Sequence, residues 1–291
     1  RVVGSVCWLG AGGNVVVERS SRNCVLCGTR FTGRRFLCCR CSERFRRERP
    51  SRELRRRFYE AVDQLYPSWA NTFGSYNMPQ ALLAVLDALP HSVRILELGC
   101  GGGALLRTLA ERGFERLVGL DLARTALEEA RRRATAAALV LADAERLPFR
   151  SRSFDVVIAT DLIEHVDDLD AHLAEVARVL RRGGWYLVKT PNRPLAELYY
   201  RFAGLDDYPF WHPSMLSPGE LRTRFARHGF TVRILAQPAL TPAQLRKVPT
   251  PFLRSIAARL PVALLPVWLR PHLEALAELR AEPDSSGSGD G

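Results

Sequence analysis

The chain has 291 residues, 47% of them apolar and 25% charged, which is ordinary globular usage and argues against global disorder. Its longest wholly apolar run is the ten residues 260–269, about half of what a membrane-spanning helix needs, so an ordinary transmembrane protein is not expected and a cytoplasmic location is. The net charge of +11 is concentrated early: from Arg30 to Arg57 twelve arginines stand against Glu43, Glu48 and Glu53, an excess of nine. Such a block would hold the phosphates of RNA, DNA or anionic lipid. With only Lys189 and Lys247 among 42 basic residues, it reads equally as a general preference for arginine.

Residues 1–22 include the apolar stretch VVGSVCWLGAGG but neither the basic start nor the small-residue cleavage site of a secretory signal, and are expected to be unstructured. A small module follows over 23–49. Cys24-x-x-Cys27 and Cys38-x-x-Cys41 form two knuckles whose thiolates can close a tetrahedron around a structural zinc ion, with Cys39 as a spare. Disulfides or free thiols are the other readings; the odd total of seven cysteines and the lack of an export signal favour zinc. A helical linker or cap is expected over 50–92, because Leu54, Phe58, Val62 and Leu65 recur at helical spacing within 52–65.

Over 93–236 short apolar strands alternate with amphipathic helices, the pattern of a mostly parallel, Rossmann-like α/β sheet with helices on both faces. Strands are expected at 93–98, 117–121, 138–143, 154–160, 184–190 and 231–236. A helix over 168–184 is expected to stop at Gly183–Gly184, and another to start at Ser217-Pro218. The first strand runs into Glu97-Leu98-Gly99-Cys100-Gly101-Gly102-Gly103, a loop whose glycines let backbone approach a ligand. Alone it is ambiguous, since Gly99-x-Gly101-x-x-Ala104 with Asp121 also fits a dinucleotide loop.

ILELGCGGG, GLDLA, DAERLPF, SFDVVIATDLIEHV and EVARVLRRGGWYLVKTPN, in that order, resemble the motifs of the class I S-adenosylmethionine-dependent methyltransferases over about half the chain. The resemblance implies that Glu97, Gly99, Gly101, Gly103, Asp121, Leu122, Asp143, Ala144 and Asp161 surround the cofactor. Asp121 would take the ribose hydroxyls, Asp143 the adenine amine, and Ala144 would lie against the ring. Asp161-x-x-Glu164-His165 is similar to the acid-x-x-Glu-His of ubiquinone-pathway O-methyltransferases and small-RNA 2′-O-methyltransferases, some of which hold a divalent metal there. The RNA group adds a histidine after a TPN segment, and here Thr190-Pro191-Asn192 is followed by His212. Asp161, Glu164, His165 and His212 would then bind Mg²⁺ or a similar ion, although Asp161 is one methylene shorter than the family's Glu. A metal-free pocket using His165 and Glu164 is the other reading. The FG-x-RN element of quinone C-methyltransferases is missing, and the module lacks the histidine ligand of zinc-bearing rRNA guanine methyltransferases.

Beyond Gln237 the pattern fades, and the usual last antiparallel strand is not evident. Residues 237–281 are expected as a helical extension in which the proline-punctuated segment 251–279 caps the acceptor pocket or touches a membrane surface, with Arg254, Arg259 and Arg270 toward headgroups. A disordered tail, 282–291, ends the chain. Three functions remain: methylation of an oxygen on a small or lipid-like acceptor, methylation of RNA held by the ribbon and its arginines, or cofactor binding without turnover.

Overall fold

The structure, a computed structural model, describes residues 21–32, 36–47, 51–65, 78–205, 207–246, 248 and 250–281. The expectations for residues 1–20 and for the tail 282–291 lie outside the described residues. Ser21 and Arg22, expected to be unstructured, instead belong to β1 (Ser21–Asn23), which pairs antiparallel with β2 (Arg30–Thr32). Helices α1 (Cys39–Arg47) and α2 (Arg52–Leu65) follow, then α3 (Gln80–Leu86).

The main sheet has seven strands. Five are β3 (Arg94–Leu98), β4 (Arg116–Asp121), β5 (Ala138–Leu141), β6 (Phe154–Thr160) and β7 (Leu180–Pro191). With β8 (Phe230–Ile234) and β9 (His272–Leu279) the order is β5-β4-β3-β6-β7-β9-β8, all parallel except β9, which runs antiparallel to both neighbours. The period-two alternation of the strands divides the core. Leu96, Leu98, Val157 and Ala159 face a cluster built with α6 (Leu169–Val179) and α9 (Pro218–Arg227). Ile95, Val156 and Ile158 face the opposite cluster, with α3 and α4 (Ala104–Glu111). The helix α5 (Arg124–Arg133) joins β4 to β5. Both faces are covered, so the central strands are nearly uniform apolar runs.

Two expectations are corrected here. Helix α6 ends at Val179, not at Gly183–Gly184, because fully buried Leu180 already pairs with Phe154 as the start of β7. Gly184 serves a close chain crossing: a Cβ there would lie 2.7 Å from the Arg181 carbonyl.

The second correction concerns the C-terminal part. Beyond β8 come α10 (Pro242–Arg246), α11 (Pro251–Ala257) and 3₁₀ turns at Val262–Leu264 and Val267–Leu269, but 272–279 is the missing antiparallel strand. HLEALAEL is rich in helix formers. Burial between β7 and β8, with Leu273, Ala275 and Ala277 inaccessible, overrides that preference. The sheet is therefore not contained in 93–236.

Candidate active site

The carboxyl ends of β3, β4, β5 and β6 carry the residues singled out for the cofactor. Gly99, Gly101 and Gly103 all have positive φ (67°, 49° and 75°), but for different surroundings. A Cβ at Gly99 would press on Leu162, and one at Gly103 on Ala130 and Ala134, whereas at Gly101 it would meet nothing within 4 Å. Gly101 thus faces open space while its neighbours secure the packing behind it. The Asp121 carboxylate accepts from Gly101 N and Ala123 N, each at 2.8 Å, tying the end of β4 to the loop. Enclosure raises the Asp121 pKa above its ordinary value, against the opposing pull of the backbone N–H groups it accepts from.

Glu97 is buried, and its Oε2 finds no hydrogen-bond partner among the described residues. Burial, reinforced by the Asp121 charge, pushes its pKa well up. A buried carboxyl with an unmet oxygen beside a glycine cradle fits a ligand bearing donors or positive charge, as the S-adenosylmethionine amino-acid end does. Half-buried Asp143 accepts from Glu145 N at 2.9 Å, with half-buried Leu122 and buried Ala144 nearby in sequence to these acids. Glu145 is buried and accepts from Asp167 N and Asp168 N at 2.7 and 3.2 Å.

Asp161 departs from the four-ligand expectation. It has φ 52°, and its carboxylate binds fully buried Lys189 at 2.6 Å, with His272 Nε2 at 3.9 Å. Burial would raise its pKa, but the Lys189 and His272 charges outweigh that and hold it low. The other three converge: ligand atoms of Glu164, His165 and His212 all lie within 4.8 Å of one another. Asp161 is outside that group because its short carboxylate is committed to Lys189.

The supporting contacts come from distant segments. His165 Nδ1–H donates to the Trp211 carbonyl at 2.6 Å and has Tyr59 Oη at 2.9 Å, which leaves the lone pair on Nε2. His212 Nδ1 meets Tyr200 Oη at 3.0 Å, and Thr190 Oγ1 donates to Glu164 at 2.9 Å. Enclosure lowers the His165 pKa to about 4, and burial with the Asp161 charge raises Glu164 to about 8. Sequence reasoning missed Tyr59, Tyr200, Thr190 and Lys189. Tyr59 left a signal as a polar-tipped aromatic next to the apolar stripe of α2, and Thr190 as the head of the Thr190-Pro191-Asn192 segment.

At the N-terminal module Cys24, Cys27, Cys38 and Cys41 gather with sulfurs within 4.8 Å of each other, and Cys39 points outward. The Cys27–Cys38 sulfur separation of 3.6 Å is close to the ~3.8 Å edge of a tetrahedron with zinc–sulfur bonds of about 2.3 Å. The Thr29 hydroxyl and backbone lower the exposed Cys27 thiol to about 6, while burial raises Cys24 and Cys41. The donor set fits zinc.

This module is docked beside the Glu164, His165 and His212 group. Asp207 accepts from Phe36 N and Leu37 N at 3.0 and 3.2 Å. Phe36 packs edge-on to Trp211, and Phe58 to Phe210, on the short α8 (Tyr208–Trp211), which follows α7 (Arg193–Ala203). Buried Arg55 donates to the Phe210 carbonyl at 2.9 Å and pairs with Asp167 at 2.5 Å.

Comparison with known proteins agrees with this geometry. Residues 96–188 match the methyltransferase domain family. A ubiquinone biosynthesis O-methyltransferase of Mesorhizobium japonicum is 34% identical over 125 residues, covering 42% of this chain and 50% of that protein. One from Chelativorans sp. is 31% identical over 152 residues, 48% of this chain and 60% of the other. The chain thus spans half to three-fifths of the length of these curated relatives. A Thermotoga maritima structure described as an S-adenosylmethionine-dependent methyltransferase, possibly for histamine, superposes with TM-score 0.51 at 21% identity, over 77% of this chain and 98% of that one. That likeness speaks for the fold alone. Sheet order, glycine cradle, strand-end acids and family match agree: residues 96–188 are similar to the methyltransferase domain family, and the sheet around them has the fold of the class I S-adenosylmethionine-dependent methyltransferases.

Proposed function

We propose that the protein methylates an oxygen of a small or lipid-like acceptor bound against Glu164, His165 and His212. The observation that carries this reading is the convergence of those three groups within 4.8 Å at the end of the sheet that bears the glycine cradle. The O-methyltransferase names of the relatives agree with it. S-adenosylmethionine would supply an already activated methyl, held by Glu97, Gly99, Gly101, Gly103, Asp121, Leu122, Asp143 and Ala144. The protein then has two tasks, in-line positioning and management of the acceptor proton.

For the proton, His165 alone is a poor answer. A base lowered to about 4 is well below the ordinary imidazole value of about 6.5 and weak at neutral pH. Its neutral Nε2, with His212 and Glu164, is instead suited to a divalent cation such as Mg²⁺, which would acidify a hydroxyl placed beside it. Glu164, raised to about 8, would release its proton on cation binding, so cation affinity should rise with pH toward that value. The four cysteines would hold a structural zinc ion with no open position for chemistry.

RNA is the second reading, favoured by exposed Arg40 on the docked module and exposed Arg57 on α2. Incubating the full chain with methyl-labelled S-adenosylmethionine and separated lipid, metabolite and RNA fractions tests both. Label is expected in the lipid or metabolite fraction, lost in EDTA and restored by Mg²⁺, with cofactor affinity constant and the zinc content shown unchanged. Label in RNA alone would move the assignment to RNA. Cofactor binding with no label anywhere would leave a binding protein without turnover.

A further inference from the structure

The exposed apolar surface is unevenly distributed. Every large apolar side chain exposed among the described residues, Leu141 apart, comes from 198–202 on α7 or from 252–269. Phe202 is 85% exposed, Leu264 81%, Phe252 73% and Trp268 61%. Single exposed apolar residues are unremarkable, but a gathering of them marks a contact surface.

The two segments are neighbours. Helix α7 packs against the turn Val267–Leu269. Asn192, at the start of that helix, donates through Nδ2 to the carbonyls of Val267, Trp268 and Arg270 at 2.8–3.2 Å. Their position follows from topology. Residues 235–271 connect the end of β8 to the start of β9, and β9 begins opposite Pro191, where β7 ends. The surface therefore stands at the carboxyl edge of the parallel strands, the edge that carries the glycine cradle and the Glu164 group.

Its charge is one-sided. From Gln237 to Pro271 there is no Asp or Glu, against Arg246, Lys247, Arg254, Arg259 and Arg270. Arg270, expected from sequence to face outward, is buried and donates to the carbonyls of Leu235, Ala263 and Leu265, so it builds the scaffold. Arg259 is exposed, and on α7 exposed Arg201 stands near half-buried Glu197.

We propose that this surface docks on an anionic lipid bilayer, with Phe252, Leu264, Trp268 and Phe202 entering the headgroup–acyl boundary and Arg259 at the phosphates. Short helices carrying apolar side chains with basic flanks bind in this way. A second copy fits less well, since a two-fold contact would set each patch's cations against their own images. Docking would bring the acceptor edge to the bilayer. The proposal stands apart from the acceptor's identity, because binding is read without turnover.

The test is flotation of the full chain with phosphatidylcholine vesicles, plain or with roughly a third phosphatidylglycerol. The native protein should float with the anionic vesicles and about tenfold less with the neutral ones. Leu264→Ser/Trp268→Ser should reduce flotation about tenfold, and Arg259→Glu several-fold, with S-adenosylmethionine affinity unchanged as evidence of folding. A native protein that stays with the unbound fraction in both mixtures would overturn the proposal. So would a concentration-dependent dimer that Leu264→Ser/Trp268→Ser returns to monomer.

Discussion

Among the candidate cofactor groups, those from Glu97 to Asp143 each sit at or just beyond the carboxyl end of the strand that positions them: β3 for Glu97 and the glycine loop, β4 for Asp121, β5 for Asp143. On the acceptor side, Glu164 and His165 follow β6, His212 follows α8, Tyr59 comes from α2, and Phe36 of the cysteine module buttresses Trp211. The first arrangement is local and tolerates change elsewhere. The second is a cooperative assembly of distant segments, so damage to any one should reach the others. In this molecule methyl-donor binding and acceptor handling should be separable by mutation.

The strongest attempt to break that contrast is Cys24→Ser/Cys27→Ser. Structural zinc in such small modules contributes on the order of 10 kcal/mol to folding, so the module should come apart and release Phe36 from Trp211. Acceptor methylation should fall about a hundredfold or more, as expected when positioning of reacting groups is lost, while calorimetric affinity for S-adenosylmethionine stays within about twofold. Equal loss of both would show that the two sides are not independent. Asp121→Ala probes the other side. Charge-assisted hydrogen bonds contribute about 1.5–3 kcal/mol each, so cofactor affinity should weaken at least about tenfold with bound zinc unaltered. An unchanged affinity would remove Asp121 from the cofactor site. Tyr59→Phe is the smallest step, because Tyr59 acts through His165. The Mg²⁺ concentration for half activity should rise about tenfold, the usual scale for partners of metal-binding histidines, with cofactor affinity constant. A fall in maximal rate with the Mg²⁺ requirement unmoved would make Tyr59 a packing residue only.

The same contrast explains what could be read from the sequence. Strand ends, glycine loop and following acids are local patterns, and the parallel part of the sheet follows from them. Asp161 misled because its carboxylate looks like a metal ligand until Lys189, in the next strand, is seen to hold it. Nothing in EHV announces that the His165 ring is packed against Tyr59 and His212 and bonded to the Trp211 carbonyl. Tyr200 and Tyr59 have no motif, and only the folded chain puts them on imidazole nitrogens. β9 was hidden for another reason: a central strand covered on both faces shows no alternation, and its Leu, Ala and Glu favour helix.

The placement of β9 also bears on how the protein is made. β8 bonds to the sheet through β9, in the order β7-β9-β8. A chain emerging from the ribosome exposes the edge of β7, with buried Tyr186, Leu187 and Val188, and has nothing to seat β8 against until residues 272–279 arrive. Strand edges of this kind attract foreign strands. The nascent protein therefore passes through a long sticky interval after its methyl-donor half has been synthesised, and its yield in cells should respond to chaperone supply and to the speed of translation between β8 and β9.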